Sequence, residues 1–203
     1  GRGWVSAPAP RVLPGRCCPL REAPTAGCCG AVSYHLGEHD ECLDYMRRNI
    51  DAWWPAIENG AEAIVMTASG CGAMVQDYGH LLKDDPAYAD KARRVSELTV
   101  DLGAFLLQQD LDRLGLSNRQ GKVAFHCPFT LQPALKQNGV VERVLEKAGI
   151  HLAETTDKHL CCGSAGTYSV LQPELSQRLL TNKLAALTVD QPAEIVTANV
   201  GCQ

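Results

Sequence analysis

Apolar and polar positions along this chain fall into two rhythms that alternate. From Glu41 to Glu58, the residues Leu43, Met46, Ile50, Trp53, Trp54 and Ile57 recur at helical spacing, and Asn59-Gly60 supplies a stop. The short apolar run Ala63 to Thr67 predicts a strand that delivers Gly70-Cys71. Val95, Leu98, Leu102, Phe105 and Leu106 then predict a longer helix from about Ala89 to Leu114. The second half repeats the scheme. A strand at Lys122 to Phe125 ends at His126-Cys127-Pro128. A helix follows from about Leu131 to Ala148 with Val141, Val144, Leu145 and Ala148 inward, and then a short strand near Ile150 to Leu152. Pro173 suits the first turn of a helix that continues through Leu175, Leu179, Leu184 and Leu187, and a final strand, Glu194 to Ala198, leads to Gly201-Cys202.

Strands alternating with helices imply right-handed crossovers. The fold class expected is therefore α/β: two pseudo-repeated βαβ-type units with a mainly parallel sheet. In such sheets the loops after the strands emerge on one edge, where ligands bind. Cys71, Cys127 and Cys202 each follow a predicted strand, so the topology gathers cysteines at the carboxyl edge. The domains expected are residues 28–117 and 118–203. Residues 1–27, with prolines at 8, 10, 14, 19 and 24, show no apolar periodicity and read as an irregular or non-native stretch. The first repeat reads as incomplete at its start and the second as truncated at its end, so a fragment is expected.

The cysteines sharpen this picture. Cys-Cys-Gly occurs at Cys28-Cys29-Gly30 and at Cys161-Cys162-Gly163, and the second cysteine of each is followed by a Gly-Cys cysteine, Cys71 after 42 residues and Cys202 after 40. Two matching frames indicate an internal duplication built around thiolate ligands. Structural zinc is usually clasped by Cys-x-x-Cys knuckles, which are lacking here. Adjacent cysteines direct their sulfurs apart, awkward for one ion and serviceable for a cluster of several irons. Gly30 and Gly163 permit tight turns that leave backbone N–H groups open toward sulfur. The metal-ligand candidates are Cys28, Cys29, Cys71, Cys127, Cys161, Cys162 and Cys202, with Gly30, Gly163 and His126 supporting the cofactor. Buried packing is the competing reading for each cysteine, and a satisfied structural role for His126. Cys42 reads as a helix-face packing residue, and Cys17 and Cys18 as unstructured thiols.

Charge and composition exclude other classes. A net charge of −4 without clustered Lys and Arg argues against nucleic acid. No apolar run approaches the roughly 18 to 20 residues that span a bilayer, so no transmembrane segment is expected. No constellation of acid, base and nucleophile is visible, and no catalytic residue is assigned.

These motifs resemble a known family. Gly-Cys-Cys-Gly at 27–30, Asn49-Ile50-Asp51-Ala52-Trp53-Trp54-Pro55, Thr67-Ala68-Ser69-Gly70-Cys71-Gly72, the run Leu160 to Tyr168 and the closing Thr197 to Gln203 are similar to the iron–sulfur subunits of glycolate oxidase. More broadly the chain resembles the Cys-Cys-Gly domain shared with heterodisulfide reductases and lactate-utilisation proteins. The resemblance covers about residues 25 to 203. It implies an iron–sulfur cluster of 4Fe–4S type, flavin-containing glycolate oxidase subunits as partners, and electron transfer from glycolate oxidation toward the quinone pool. It also implies a cytoplasmic location, with peripheral attachment to the inner membrane left open. The family's ferredoxin-like cysteine runs do not occur in this chain, which is expected to be inactive by itself. The family pattern also carries a cysteine three positions after the histidine of the 126 motif, where this chain has Phe129. Two alternatives stand beside this reading: a thiol/disulfide redox subunit like heterodisulfide reductase, and a structural zinc-binding module.

Overall fold

The computed structural model describes residues 21–111, 121–131, 135, 137–164 and 166–202. Cys17, Cys18 and most of the stretch expected to be irregular lie outside the described residues. The chain divides between Phe105 and Leu106 into two compact units. Each has α/β architecture with a two-stranded parallel sheet.

In the first unit, α1 (Ala31–His35) leads to the long α2 (His39–Glu58), β1 (Ile64–Met66), α3 (Ser69–Gln76), α4 (Tyr78–Leu81), α5 (Ala89–Leu98) and β2 (Thr99–Asp101), and α6 (Leu102–Leu107) carries the chain across the division. The stripe Met46, Ile50 and Trp53 of α2 packs with Ile64, Met66, Met74, Val75, Tyr78, Ala92 and Val95. The rings of Trp53 and Tyr78 stack with centroids 6.4 Å apart. Each such large apolar side chain contributes about 1.5 to 3 kcal/mol on burial.

The single helix expected from Ala89 to Leu114 is not formed. It stops at Leu98, and Thr99-Val100-Asp101 pair in parallel with Ile64-Val65-Met66. Thr99 takes extended backbone angles, φ −76° and ψ 123°, as its β-branched neighbour Val100 also favours. Asp101 then accepts a hydrogen bond from the Gly103 N–H at 2.8 Å and restarts the chain as α6. Residues 112–114 of the expected helix lie outside the described residues.

In the second unit, β3 (Val123–His126) is followed by α7 (Val140–Lys147), α8 (Tyr168–Leu171), α9 (Pro173–Leu187) and β4 (Glu194–Thr197). The pairing of β3 with β4 is parallel and sets His126 beside Thr197. β3 is buried throughout because both of its faces are covered. Phe125 packs with Leu131, Val141, Leu145 and Val196, whereas Ala124 packs with Ala153 and Leu187 of α9. The helix expected from Leu131 begins only at Val140, after a 3-10 turn at Phe129–Leu131; residues 132–134 lie outside the described residues. The strand expected near 150–152 is reduced to one parallel bridge between Leu152 and Val123.

The two units share a frame. In each, a Cys-Cys-Gly tripeptide precedes a short helix, then a long one, then a strand, and the Gly-Cys cysteine lies five residues past the strand end. The glycine of each tripeptide is left-handed, with φ +87° at Gly30 and +85° at Gly163. A Cβ on Gly30 would lie 2.9 Å from Cys42 Sγ, and on Gly163 it would lie 2.5 Å from the Ser176 carbonyl oxygen. Both the backbone angle and the close helix therefore demand glycine. Among the described residues no helix is long and apolar enough to cross a membrane.

Gly163→Ala is expected to lower unfolding free energy by about 3 kcal/mol, from the left-handed penalty plus the backbone clash. Gly37→Ala, at φ +86° with nothing within 4 Å, should cost only about 1 kcal/mol. Urea denaturation of the two variants checks the contrast, and equal losses would contradict it.

Candidate metal centre

The same sulfur pairing is built twice. In the first unit Cys71 packs against Cys29 in one core. The neighbouring Cys29 holds the Cys71 thiol down at about 7, while Cys71 and burial push Cys29 up. In the second unit the sulfurs of Cys162 and Cys202 lie within 4.8 Å of each other: Cys162 is held down at about 6 chiefly by Cys202, and Cys202 is pushed up by Cys162 and by burial. The first cysteine of each tripeptide makes an equivalent contact. The Gly30 N–H donates to Cys28 Sγ at 3.5 Å, and the Gly163 N–H donates to Cys161 Sγ at 3.3 Å.

Buried polar side chains fix the first loop. Asn49, on the inward face of α2, accepts from the Gly27 N–H at 2.8 Å and donates to the Cys28 carbonyl at 2.8 Å. Its amide also donates to Tyr78 Oη at 3.0 Å, and Tyr78 donates in turn to the Cys29 carbonyl at 2.9 Å. Asn49 and Tyr78 are both buried, so each bond is made away from competing water. The Cys42 side chain lies beneath Gly30 in the same core, and burial pushes its thiol up.

The second loop is held from α9. Ser176 Oγ donates to the Gly163 carbonyl at 3.0 Å, and Asn199 Nδ2 reaches Cys202 Sγ at 3.8 Å. Lys183, also on α9, is 2 % exposed, and its Nζ donates to the Lys158 carbonyl at 3.1 Å. Burial lowers its pKa, against the opposing pull of Cys127, Cys162, Asp157 and Cys161.

His126, Cys162 and Cys202 present ligand atoms that all lie within 4.8 Å of one another. His126 Nδ1 sits 3.3 Å from Thr197 Oγ1. Burial, with the nearby Lys183 charge, holds its imidazole down to about 4 and hence neutral at pH 7. Cys127 is not in this trio. It packs with Phe125 and Leu131 and lines a cleft of about 370 Å³ with Glu142, Glu146 and Leu152.

Thus the structure brings Cys29 to Cys71, and Cys162 to Cys202 and His126, with Cys28 and Cys161 in the same loops. The positioning residues Asn49, Tyr78, Ser176 and Lys183 were not singled out from sequence. A signal existed for Asn49, a polar residue at helical spacing within the apolar stripe Met46, Ile50 and Trp53. Lys183 carried a comparable one, between Leu179 and Leu187.

A model of the cysteine-rich CCG domain matches residues 11–76 and 123–203. Over 199 residues the chain is 54% identical to the glycolate oxidase iron-sulfur subunit of Escherichia coli K12, covering 98% of this chain and 49% of that protein. It is 31% identical to the probable glycolate oxidase iron-sulfur subunit of Bacillus subtilis 168, covering 91% and 41%. Identity to lactate utilization protein A of Bacillus licheniformis is 27%, covering 86% and 72%. The chain thus spans about half the length, or less, of the two glycolate oxidase relatives.

Asn49→Leu should destabilise the first unit by about 3 kcal/mol, since it strands the Gly27 N–H and the Cys28 carbonyl, whereas Tyr78→Phe should cost about 1 kcal/mol. Hydrogen exchange of amides in α2 and in the 27–31 loop reads the effect. Unchanged protection in Asn49→Leu would show that the amide does not hold the loop.

Proposed function

The chain belongs to the cysteine-rich CCG domain family, and from that premise we propose that it is an iron–sulfur electron-transfer module of a glycolate-oxidising complex. The observation that carries this reading is the duplicated sulfur arrangement, Cys29 with Cys71 and Cys162 with Cys202, each beside a left-handed glycine. The residues suit an iron–sulfur cluster. Thiolate is the donor such clusters take, and the Gly30 and Gly163 N–H groups already aim at sulfur. Gly30 and Gly163 also leave no Cβ between the loop and the helix beneath it.

In this reading Cys28, Cys29 and Cys71 hold one centre and Cys161, Cys162 and Cys202 the other, with clusters of 4Fe–4S type. Bound clusters would supply one-electron storage and release. The chain's own residues do the rest: Asn49, Tyr78 and Ser176 fix the loops, and backbone N–H groups stabilise charge on sulfur. Substrate oxidation is assigned to a flavin-containing partner subunit, with electrons leaving toward the quinone pool. A cytoplasmic location, at or near the inner membrane, suits that role. The domains follow the sulfur frames, 28–117 and 118–203.

The whole chain, purified without oxygen, should be brown, contain iron and acid-labile sulfide in equal amounts, and bleach on reduction by dithionite. Cys162→Ser and Cys29→Ser should each remove about half of the iron, and the double variant nearly all, since the two sites are independent. Zinc in place of iron would overturn the proposal. Supplied with glycolate, the chain alone should reduce no dye. Dye reduction would place substrate oxidation within these 203 residues.

A further inference from the structure

We propose that His126 is a direct ligand of the second cluster, binding iron through Nε2 alongside Cys161, Cys162 and Cys202. This inference rests on the iron–sulfur reading above and deepens it. A cluster of 4Fe–4S type takes four protein ligands, and the loop and the Gly-Cys turn of this unit supply three thiolates. The remaining candidates lie along the end of β3, and their placement separates them.

Successive residues of a strand point to opposite faces. Phe125 and Cys127 turn toward α7, into the cluster with Leu131 and Val141. Ala124 turns the other way, toward α9, where it meets Leu187, and His126 follows Ala124 by two residues on the same strand face. Phe129 offers no donor atom and is 63 % exposed. Only His126 of these carries a ligand atom into the group with Cys162 and Cys202, all within 4.8 Å.

The ring is also prepared for the role. Parallel register fixes His126 opposite Thr197, and Thr197 Oγ1 engages Nδ1 at 3.3 Å. A histidine that ligates metal through one nitrogen is commonly oriented by a hydrogen bond at the other. In the tautomer that donates Nδ1–H to this hydroxyl, the Nε2 lone pair is left for iron. Burial at 4 % exposure disfavours the imidazolium that would remove it. Imidazole in place of thiolate takes one negative charge from the cluster, a change that raises reduction potential in iron–sulfur centres with histidine ligands.

The test uses the whole chain, purified anaerobically and reduced with dithionite, with natural-abundance protein compared against protein labelled with nitrogen-15 at its histidines. Pulsed EPR should show the strong nitrogen coupling of a bound imidazole, converted to the nitrogen-15 pattern by the label. The coupling should vanish in His126→Cys, which should keep its iron and sulfide and titrate at lower potential. Mössbauer spectra of iron-57 protein should show one iron distinct from the rest in wild type and not in His126→Cys, which covers an EPR-silent state. Iron and sulfide without any histidine coupling or distinct iron would overturn this inference and leave the electron-transfer reading standing. Absence of iron and sulfide would sink that reading, and this one with it.

Discussion

The contact on which both candidate centres depend is between two thiols that are forty or so residues apart in sequence, Cys29 with Cys71 and Cys162 with Cys202. In each tripeptide the second cysteine is the one that meets the Gly-Cys turn, although in the second unit Cys161 stays close enough to Cys162 to lower its pKa as well. The first stays in the loop and receives the N–H of the following glycine. The left-handed glycine makes this division possible, because it reverses the chain immediately after the second sulfur and lets the helix close underneath. With Ser176 carbonyl oxygen only 2.5 Å from where a Cβ would stand, no other residue satisfies both the turn and the packing.

Such a loop carries exposed backbone groups into a region shielded from water, and these need partners. The two units solve the problem with different residues. The first uses Asn49 and Tyr78, a chain of four hydrogen bonds that ties residues 27, 28 and 29 to α2 and to the start of α4. The second uses Ser176 and the carbonyl of Gly163, with Lys183 bonded to the carbonyl of Lys158 nearby. The backbone frame is duplicated while the side chains that satisfy it have diverged, which fits a constraint set by geometry and not by any one residue type.

Much of this was legible in the sequence. The helix from 41 to 58 and the strands near 63–67, 122–125 and 194–198 form within a residue or two of their expected bounds, because each has one clean period. β2 was not legible: Val95, Leu98, Val100 and Leu102 sit at spacings that a helix tolerates, and only tertiary pairing with β1 decides the matter. Topology placed cysteines at a common edge, but which thiol meets which depends on the loop turn, which spacing does not encode. His126 closes β3 and Cys127 follows it, and which of the two meets the sulfurs depends on packing that spacing does not encode.

The proposed His126 ligand makes the two candidate centres chemically unequal. Around the first lie the thiols of Cys28, Cys29, Cys71 and the buried Cys42, and the pKa of Cys42 rises partly because Cys29 and Cys28 are close. Around the second lie a neutral imidazole and the ammonium of Lys183, which senses Cys127, Cys162 and Cys161. A buried cation favours whatever state places more negative charge beside it, and replacing one anionic donor by a neutral one acts in the same direction. Under the proposed ligand sets, both effects raise the potential of the second centre relative to the first.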